Sequence, residues 1–298
     1  MTSQKVTPLA VISPVRDEAR YVRKTLDAML AQTVRPQEWL FVDDGSSDDT
    51  RDIVESYARR HDWIRLVSRE NRGFRQLGSG VIAAFKFGRQ HLQSDDYRYI
   101  AKLDGDMSFS PRYLEIMIAR LEQEPALAAV SGKVFRPEAS DLVEEYMIDE
   151  MVAGQFKLYK RAAFDDIGGF TETILWDGID IHRCRMKGYT ALSFHHPEAR
   201  LYHHRQMGSS DVNVFKGRVR LGRGIWFMGY HPLYAIASGI FRMAEKPYVI
   251  GGAIIILSYC YSALRREQRI DDRAFVAELQ RWQMSRLRSL PKRLSGVR

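Results

Sequence analysis

Short apolar runs alternate with amphipathic segments through the first half of the chain. Residues 9–13, 39–42 and 64–67 are compact apolar runs typical of buried strands. Residues 18–31 and 79–92 instead place apolar side chains three and four positions apart, which is the spacing of one helix face. This alternation predicts an α/β fold with a mainly parallel sheet, whose ligands bind beyond the carboxyl ends of the strands.

A fourth apolar run, residues 99–103, leads into two aspartates in the stretch AKLDGDMSFSP. Asp104 and Asp106 are two positions apart, so both carboxylates leave the same face of extended backbone, and Gly105 adds no side chain between them. The pair suits Mg²⁺ or Mn²⁺ bound with a diphosphate, because these ions use one or two carboxylates and complete their coordination with phosphate and water. A solvated Asp-Gly turn is the alternative. Lys102 either offsets diphosphate charge or is a solvated residue at the strand edge.

The second strand also ends in an acidic stretch, VDDGSSDDT. Asp43 is best explained as a cap of the following helix, whereas Asp44 is the better ligand candidate. Arg72 and Arg75 follow on a glycine-containing loop, where they could reach phosphate, although a solvated loop is the favoured interpretation of both.

The segment LWDGIDIHRCRMKGY is the strongest candidate for acid–base chemistry. Asp177 and Asp180 are three positions apart and share one face if a helix begins near Asp177. One of these carboxylates could act as general base for a hydroxyl group, with Trp176 as an aromatic wall on which a ligand ring could stack. Gly154 is assigned to the same side of the site. The alternative is a helix N-terminus that simply favours acidic residues.

Several stretches follow one another in a fixed order along residues 8–204: AVISPVRDEARYVRKTLDAMLAQTVRPQEWLFVDDGSSDDT, AKLDGDMSFSP, GQFKLYKRAAFDDIGGF and WDGIDIHRCRMKGY. In this order they resemble the successive motifs of family 2 glycosyltransferases of the GT-A fold. The resemblance implies an inverting enzyme that uses a nucleoside diphosphate sugar of the UDP or GDP type together with Mg²⁺ or Mn²⁺. The chain departs from the family pattern at Asp17-Glu18-Ala19, usually Asn-Glu-Glu, and at Asp177-Gly178, commonly Glu-Asp.

The same resemblance implies roles for individual residues. Asp44 would contact the nucleobase, Asp104 would face the nucleoside, and Asp106 would bind the metal, with Asp104 as a second metal candidate. A histidine that binds the metal is expected in the segment HHRxxGSS, where His204 is preferred over His203. The residues assigned to the donor side are Pro14, Asp17, Glu18, Asp44, Lys102, Asp104, Arg220 and Arg223.

The net charge indicates the kind of binding partner, and the cysteine content indicates whether disulfides or structural zinc are expected. The 298 residues carry a formal net charge of +8, which favours an anionic partner such as a nucleotide sugar or a membrane surface. Nucleic acid is not expected, because the basic residues concentrate beside apolar segments and no aromatic RNA-binding strand is visible. Cys184 and Cys260 lack CxxC spacing, so neither a disulfide framework nor a structural zinc site is indicated. The N-terminal apolar run is too short for a secretory signal, so we expect a cytoplasmic protein.

The last third of the chain changes character. Residues 224–240 and 248–264 contain no acid, lysine or arginine, and basic residues border both runs. Their length is at the lower limit for crossing a bilayer, so we expect interfacial or re-entrant helices of a peripheral or monotopic protein at the inner face of the cell membrane. A helical hairpin buried against the catalytic part is the alternative. The predicted domains are a GT-A domain over 1–215 and a helical, membrane-associating extension over 216–298, which ends in a mobile polybasic tail.

Together these observations favour metal-dependent transfer of a sugar to a hydroxyl of a lipid-linked saccharide in polysaccharide synthesis. A polyprenyl phosphate acceptor is the alternative within the same family. A nucleotidyltransferase and a non-catalytic nucleotide- or RNA-binding module are the alternatives from other classes. The first of these lacks support, because the chain has no glycine-rich loop with Arg and Lys near its N-terminus.

Overall fold

The computed structural model describes residues 5–74, 78–138, 141–205 and 214–295. The chain divides into two compact units, residues 1–206 and 207–298, a few residues before the predicted boundary at 215. Residues 206–213, at this division, lie outside the described ranges, as does Arg75.

The first unit alternates strands and helices as the apolar pattern predicts. Its strands are β1 (Lys5–Val15), β2 (Val34–Asp43), β3 (Ile64–Ser68), β4 (Tyr99–Leu103), β5 (Met107–Phe109), β6 (Leu127–Gly132), β7 (Val134–Glu138), β8 (Asp141–Glu144), β9 (Phe156–Lys160), β10 (Thr190–Phe194) and β11 (Leu201–His203). Its helices are α1 (Val22–Leu30), α2 (Thr50–Ala58), α3 (Ser79–Gln90), α4 (Tyr113–Gln123), α5 (Arg161–Asp166) and α6 (Trp176–Met186).

Seven of these strands form the main sheet, in the order β10-β6-β9-β4-β1-β2-β3. The pairs β1–β2, β1–β4, β2–β3 and β6–β10 are parallel. Only β9, inserted between β4 and β6, runs antiparallel to both of its neighbours in this sheet. The predicted α/β fold with a mainly parallel sheet is confirmed, and β9 is an exception that apolar periodicity does not reveal.

Both faces of the main sheet are covered by helices. In β1, Val11 packs into the apolar cluster that includes Leu26 of α1 and Leu114 of α4. Its neighbour Ile12 packs into the cluster on the other face, with Phe85 of α3. Because side chains alternate between two buried faces, the strand reads as a continuous apolar run rather than as alternating apolar and polar positions.

A second, smaller sheet was not predicted. Its strands lie in the order β5-β11-β7-β8, and β11 pairs antiparallel with β5 and parallel with β7. In this pairing His203 lies opposite Met107, the residue that follows Asp106. The small sheet therefore brings the second aspartate of the acidic pair beside the histidines of β11.

The second unit is helical over its described residues. It contains α7 (Val214–Phe227), α8 (Pro232–Phe241), a 3-10 turn (Arg242–Ala244), α9 (Ile250–Leu264) and α10 (Arg273–Ser295). α10 continues through Ser295, into the segment predicted to be a mobile tail. Ahead of that segment it buries Phe275, Leu279 and Gln283, which recur at the spacing of one helix face. In the described parts of both units, no helix is both long enough and apolar enough to span a bilayer.

Glycines allow the helices of the second unit to approach closely. A Cβ at Gly222 of α7 would lie 2.5 Å from the carbonyl oxygen of Ile255 in α9, and a Cβ at Gly239 of α8 would lie 2.4 Å from Cγ1 of Ile256. Many of the larger apolar side chains of this unit are exposed, although Ile255 and Phe275 are buried. Those exposed in α8, α9 and the connection between them are Leu233, Ile236, Ile240, Phe241, Tyr248, Val249, Ile250, Leu257, Tyr261 and Leu264.

Candidate active site

The predicted donor residues of β1 and β2 lie together at the carboxyl ends of these strands. The Asp44 amide donates to the Val15 carbonyl at 2.9 Å, which holds the two strand ends side by side. Pro14 is buried in β1 opposite Val42. Asp43 Oδ1 accepts from the Ser46 amide at 3.0 Å, so it braces the turn after β2. The prediction that Asp43 caps the following helix is wrong, because α2 begins only at Thr50.

Arginines surround the carboxylate of Asp44. Arg69 Nη1 lies 2.7 Å from Oδ1, and Arg72 pairs with Oδ2. Arg16 Nη1 also donates to the Asp44 carbonyl at 2.8 Å. The interpretation of Arg72 as a solvated loop residue is therefore wrong. The carboxylate of Asp44 is therefore held between two arginines.

Asp17 and Glu18 follow β1 and differ in what they contact. Asp17 has a positive φ of 55°, and its Oδ1 accepts from the amide and hydroxyl of Ser47 at 2.8 and 3.0 Å. Its carboxylate thus links two loops. Glu18 is buried and pairs with Arg205, which connects the first loop to the acidic pair.

Asp106 lies at the centre of this part of the site. His203 Nε2 lies 3.5 Å and Arg205 Nε 3.3 Å from Asp106 Oδ2. Burial raises the pKa of Asp106, but the hydrogen bond and charge of His203 outweigh it and lower that pKa. Burial alone lowers the pKa of His203, whereas its hydrogen bonds with Asp106 and Glu145 raise it to about 10. Asp106 and His203 therefore form an ion pair.

His203, rather than His204, faces Asp106. Successive side chains of a strand leave opposite faces, and His204 directly follows the end of β11. The His204 ring turns away, with Nε2 2.9 Å from Ser108 Oγ and with Tyr21 stacked 6.4 Å away. The geometry favours His203 over the predicted His204 as the histidine available to a metal.

A chain of contacts links the acidic pair to the predicted base. Lys102 is buried, pairs with Asp104, and donates to the Gly154 carbonyl at 2.8 Å. A solvated position for Lys102 is therefore wrong. A Cβ at Gly154 would lie 3.2 Å from Asp177 Oδ2, so a larger residue there would crowd this carboxylate. Asp177 is half-buried, which leaves it accessible to a ligand.

Asp180 has a different environment from Asp177, one turn away on α6. It is fully buried, and its oxygens accept from Lys157 Nζ at 2.9 and 2.7 Å and from the Tyr159 hydroxyl at 2.6 Å. This saturated carboxylate is poorly placed to accept a proton from a substrate. The geometry therefore favours Asp177 as the base.

The position of Trp176 in the structure does not fit its predicted role of stacking on a sugar ring. Its ring is 7% exposed and packs edge-on against Phe170, with centroids 4.9 Å apart. Lys102 Nζ and Lys157 Nζ each lie 5.2 Å from its centroid. Because the ring is enclosed by these neighbours, it contributes to the wall behind Asp177 rather than to a sugar platform.

Arg220 and Arg223 belong to α7 of the second unit. Arg223 forms two hydrogen bonds with Glu267, at 3.1 and 2.7 Å. The donor-binding role assigned to both arginines stays a prediction.

The chemistry of Asp106 and His203 fits a divalent cation that arrives with a diphosphate. Among the described residues, no group of three His, Cys, Asp or Glu side chains is arranged to hold a metal by protein ligands alone. On an octahedral ion with bonds of about 2.1 Å, adjacent ligands are about 3 Å apart and opposite ligands about 4 Å apart. The distance of 3.5 Å between Asp106 Oδ2 and His203 Nε2 lies between these two values. Two protein ligands are also the usual number when phosphate and water complete the coordination.

A comparison with known families decides the class of protein. The model of the family described as Glycosyl transferase family 2 matches residues 10–173, more than half of the chain. The chain belongs to glycosyl transferase family 2. The family predicted from the ordered motifs is confirmed, and the matched range includes Asp44, Asp104 and Asp106.

Curated relatives of this glycosyltransferase are polysaccharide synthases. It is 24% identical to the chondroitin synthase of Escherichia coli over 184 residues, which make up 58% of this chain and 25% of that protein. It is also 24% identical to the poly-beta-1,6-N-acetyl-D-glucosamine synthase of Staphylococcus epidermidis over 198 residues, 60% of this chain and 45% of that one. The chain thus spans less than half the length of these relatives.

Solved structures share the fold of the glycosyltransferase. The mannosyltransferase PcManGT from Pyrobaculum calidifontis, in complex with GDP-Man and Mn²⁺, gives a TM-score of 0.53 at 16% identity, covering 97% of this chain and 76% of that one. Staphylococcus aureus TarS 1–349 in complex with UDP-GlcNAc gives 0.53 at 15% identity, covering 90% and 78%. The predicted GT-A fold is confirmed.

Three residues near the site were not predicted from the sequence. Arg69 and Arg205 contact the carboxylates of Asp44 and Asp106, and Glu145 contacts His203. Arg205 follows the histidine pair directly and carries a charge opposite to the acidic pair, which is a signal that sequence reasoning could have used. Glu145 lies among other acidic residues, and nothing in its local sequence separates it from them.

Proposed function

We propose that this glycosyltransferase moves a sugar from a nucleoside diphosphate sugar to a hydroxyl of a saccharide acceptor, in a reaction that depends on Mg²⁺ or Mn²⁺. The observation that supports this proposal is a line of contacts between the acidic pair and the candidate base. The Asp104 carboxylate pairs with Lys102, and Lys102 Nζ donates to the Gly154 carbonyl. Gly154 in turn lies beside the accessible carboxylate of Asp177. Along this line, a metal–diphosphate site adjoins a candidate base. Family membership favours glycosyl transfer over nucleotidyl transfer.

The donor would bind along the acidic and basic residues at the carboxyl edge of the sheet. Asp44, held by its arginines, would face the base, and Asp104 the nucleoside. Pro14, Asp17 and Glu18 would line the same side. A metal held by Asp106 and His203 would offset negative charge on the departing nucleoside diphosphate. Lys102 and Arg205 would add fixed positive charge beside it.

Asp177 would accept the proton of the acceptor hydroxyl as this oxygen attacks the anomeric carbon. Lys157 Nζ donates to the Asp177 carbonyl at 2.6 Å, which fixes the first turn of α6. Gly154 leaves space at the carboxylate. Attack from the face opposite the leaving group inverts the anomeric centre, as the family resemblance implies.

The donor class is supported by the structural neighbours. PcManGT is described with GDP-Man and Mn²⁺, and TarS with UDP-GlcNAc. We therefore propose a UDP or GDP sugar as donor for this chain. The polysaccharide synthases among the relatives support a growing saccharide as acceptor, and a lipid-linked saccharide is the form we propose.

The test is Asp106→Asn, with Asp96→Asn as a matched control on the exposed loop before β4. We expect Asp106→Asn to abolish Mn²⁺-dependent thermal stabilisation by UDP or GDP sugars, and also sugar transfer, because it removes a charged metal ligand. The control should behave as wild type, since substitution of an exposed residue changes stability by less than about 0.5 kcal/mol. Wild-type metal dependence in Asp106→Asn would contradict the assignment.

We further propose that the second unit binds an anionic membrane surface. Ten large apolar side chains of α8, α9 and their connection are exposed, and an exposed apolar surface of this size is typical of a site that contacts a membrane or another protein. Arg242, Lys246, Arg265 and Arg266 adjoin these segments and suit anionic headgroups. Tyr248 and Tyr261 are exposed on this surface, whereas Tyr259 is buried.

This membrane proposal is tested with the full chain and vesicles of phosphatidylglycerol and phosphatidylcholine. Ile240→Glu and Leu257→Glu should weaken vesicle binding, because each places a carboxylate on the apolar surface. Leu142→Glu, at an equally exposed apolar position on β8 of the first unit, is the matched control. A wild-type chain that ignores anionic vesicles at low salt would contradict the proposal and favour the helical-hairpin alternative.

A further inference from the structure

Glu145 is a buried carboxylate that the mechanism above does not use. Its side chain is only 4% exposed, and Oε1 lies 3.1 Å from His203 Nδ1. Its other oxygen, Oε2, accepts from Gln155 Nε2 at 3.2 Å. A buried carboxylate is costly unless it is paired and hydrogen-bonded, so the fold holds this acid for a specific partner.

The small sheet places Glu145 and His203 next to each other. Glu145 follows the last residue of β8, and its amide donates to the Val134 carbonyl in β7 at 2.9 Å. His203 ends β11, which pairs with β7 on one side and with β5 on the other. β5 begins immediately after Asp106. The small sheet therefore places Glu145, His203 and Asp106 in one row.

We infer that Glu145 is a positioning residue that orients His203 toward the divalent cation, an inference that rests on the proposed metal-dependent function. Nδ1 faces Glu145 while Nε2 faces Asp106 at 3.5 Å. Once Nε2 has given up its proton to bind a cation, the imidazole would still donate Nδ1–H to Glu145 and would present the Nε2 lone pair on the metal side. Carboxylates that hold metal-binding histidines in this way fix the tautomer and the ring orientation and raise the basicity of the ligand.

Gln155 gives this arrangement rigidity. Its side chain holds the second oxygen of Glu145, and its carbonyl accepts from the Asp104 amide at 2.8 Å. The carboxylate is thus fixed relative to the backbone of the acidic pair as well as to the histidine. A carboxylate that only neutralised a buried histidine would not require this second connection.

The experiment measures Mn²⁺ binding in the presence of UDP or GDP by electron paramagnetic resonance. Glu145→Leu removes the hydrogen-bond acceptor, and we expect about 10- to 100-fold weaker Mn²⁺ binding, the usual cost of losing such a partner. Glu145→Gln keeps an acceptor oxygen without the charge, so its loss should be smaller. It also keeps the test valid if the leucine variant fails to fold. Glu144→Gln is the matched control, because its carboxylate contacts His195 instead, at 3.6 Å.

A double-mutant cycle separates positioning from a general structural role. His203→Ala should weaken Mn²⁺ binding, and adding Glu145→Gln to it should weaken binding no further if Glu145 acts only through His203. Additive losses would overturn the inference. Glu145 variants that bind Mn²⁺ like Glu144→Gln would also overturn it while leaving the proposed function intact. A wild-type protein that binds no Mn²⁺ with either nucleotide would overturn the inference and the metal-dependent function together.

Discussion

Two buried clusters in the first unit combine carboxylates and cations but differ in how completely their hydrogen bonds are formed. Around Asp180, Lys157 and Tyr159 donate at 2.6 to 2.9 Å, and all three residues are sealed from solvent. Around Asp106, His203 and Arg205 lie 3.5 and 3.3 Å away. The first cluster has the short distances of completed hydrogen bonds, whereas the separations in the second leave Asp106 able to accept another ligand.

The difference shows that position, not residue type, separates structural acids from reactive ones. Lys157 Nζ also donates a hydrogen bond to the Asp177 carbonyl, at 2.6 Å. The sealed cluster therefore anchors the turn that presents Asp177. In this arrangement the sealed charges would position the site, and Asp106 and Asp177 would carry out the proposed chemistry.

The largest effect is expected from Asp177→Asn, which tests whether the accessible acid of α6 is the reactive one. For a sugar hydroxyl acceptor, transfer should slow by roughly 10²- to 10⁴-fold, because the general base is lost while the shape of the side chain is kept. Donor affinity should change little. Single-turnover rates of sugar transfer measure the effect.

The same variant separates the two acceptor hypotheses. A polyprenyl phosphate is already ionised and needs no base, so Asp177→Asn should cost far less with it, and removal of a like charge could even help. Transfer to a defined hydroxyl acceptor at the wild-type rate would show that Asp177 is not the base.

Asp180→Ala tests the sealed cluster and should act on stability first. Removing one partner of a buried ion pair leaves Lys157 charged and unpaired, which costs about 3 to 5 kcal/mol. Urea unfolding measures this loss. The double variant Asp180→Leu with Lys157→Met should recover much of it, because no buried charge then remains. A loss below about 1 kcal/mol in Asp180→Ala would mean that the two clusters do not differ as described.

The main sheet and the acidic pair could be predicted because their signals are local. Continuous apolar runs mark β1, β2 and β4, and the spacing of Asp104 and Asp106 indicates one shared face. Resemblance to an ordered set of motifs then gave the family. None of these steps requires knowledge of which distant segments pair.

The small sheet could not be predicted for the opposite reason. β5 and β11 have three residues each, too few to show a period of two, and they pair across about a third of the chain. The choice between His203 and His204 depends on this register, since one residue of shift exchanges the two faces. Glu145 became visible as a partner of His203 only when β8 was placed.

The smallest effect is expected from substitution of Asp48, an exposed residue whose two carboxylate oxygens both accept hydrogen bonds. Its oxygens accept from the Ala19 amide at 3.0 Å, from the Thr50 amide at 3.0 Å, and from the Thr50 hydroxyl. The same hydroxyl accepts from the Glu18 amide at 2.7 Å. Asp48 is exposed, yet it thus braces the loop that carries Glu18 toward the cluster around Asp106.

Asp48→Asn should lower the free energy of unfolding by about 1 kcal/mol at pH 7, the usual net value of such a hydrogen bond. Burial raises the pKa of Asp48, but the hydrogen bonds from Thr50 and Ala19 outweigh it and lower that pKa below its ordinary value. A carboxyl with a lowered folded-state pKa stabilises the fold above its unfolded value of about 3.9 and loses this contribution as the pH falls through the folded value. The difference between wild type and variant in urea unfolding should therefore be present at pH 7 and shrink toward pH 3. A difference that stays constant over this range would show that the charge of Asp48 does not brace the loop, and that exposed acids near the site contribute through shape alone.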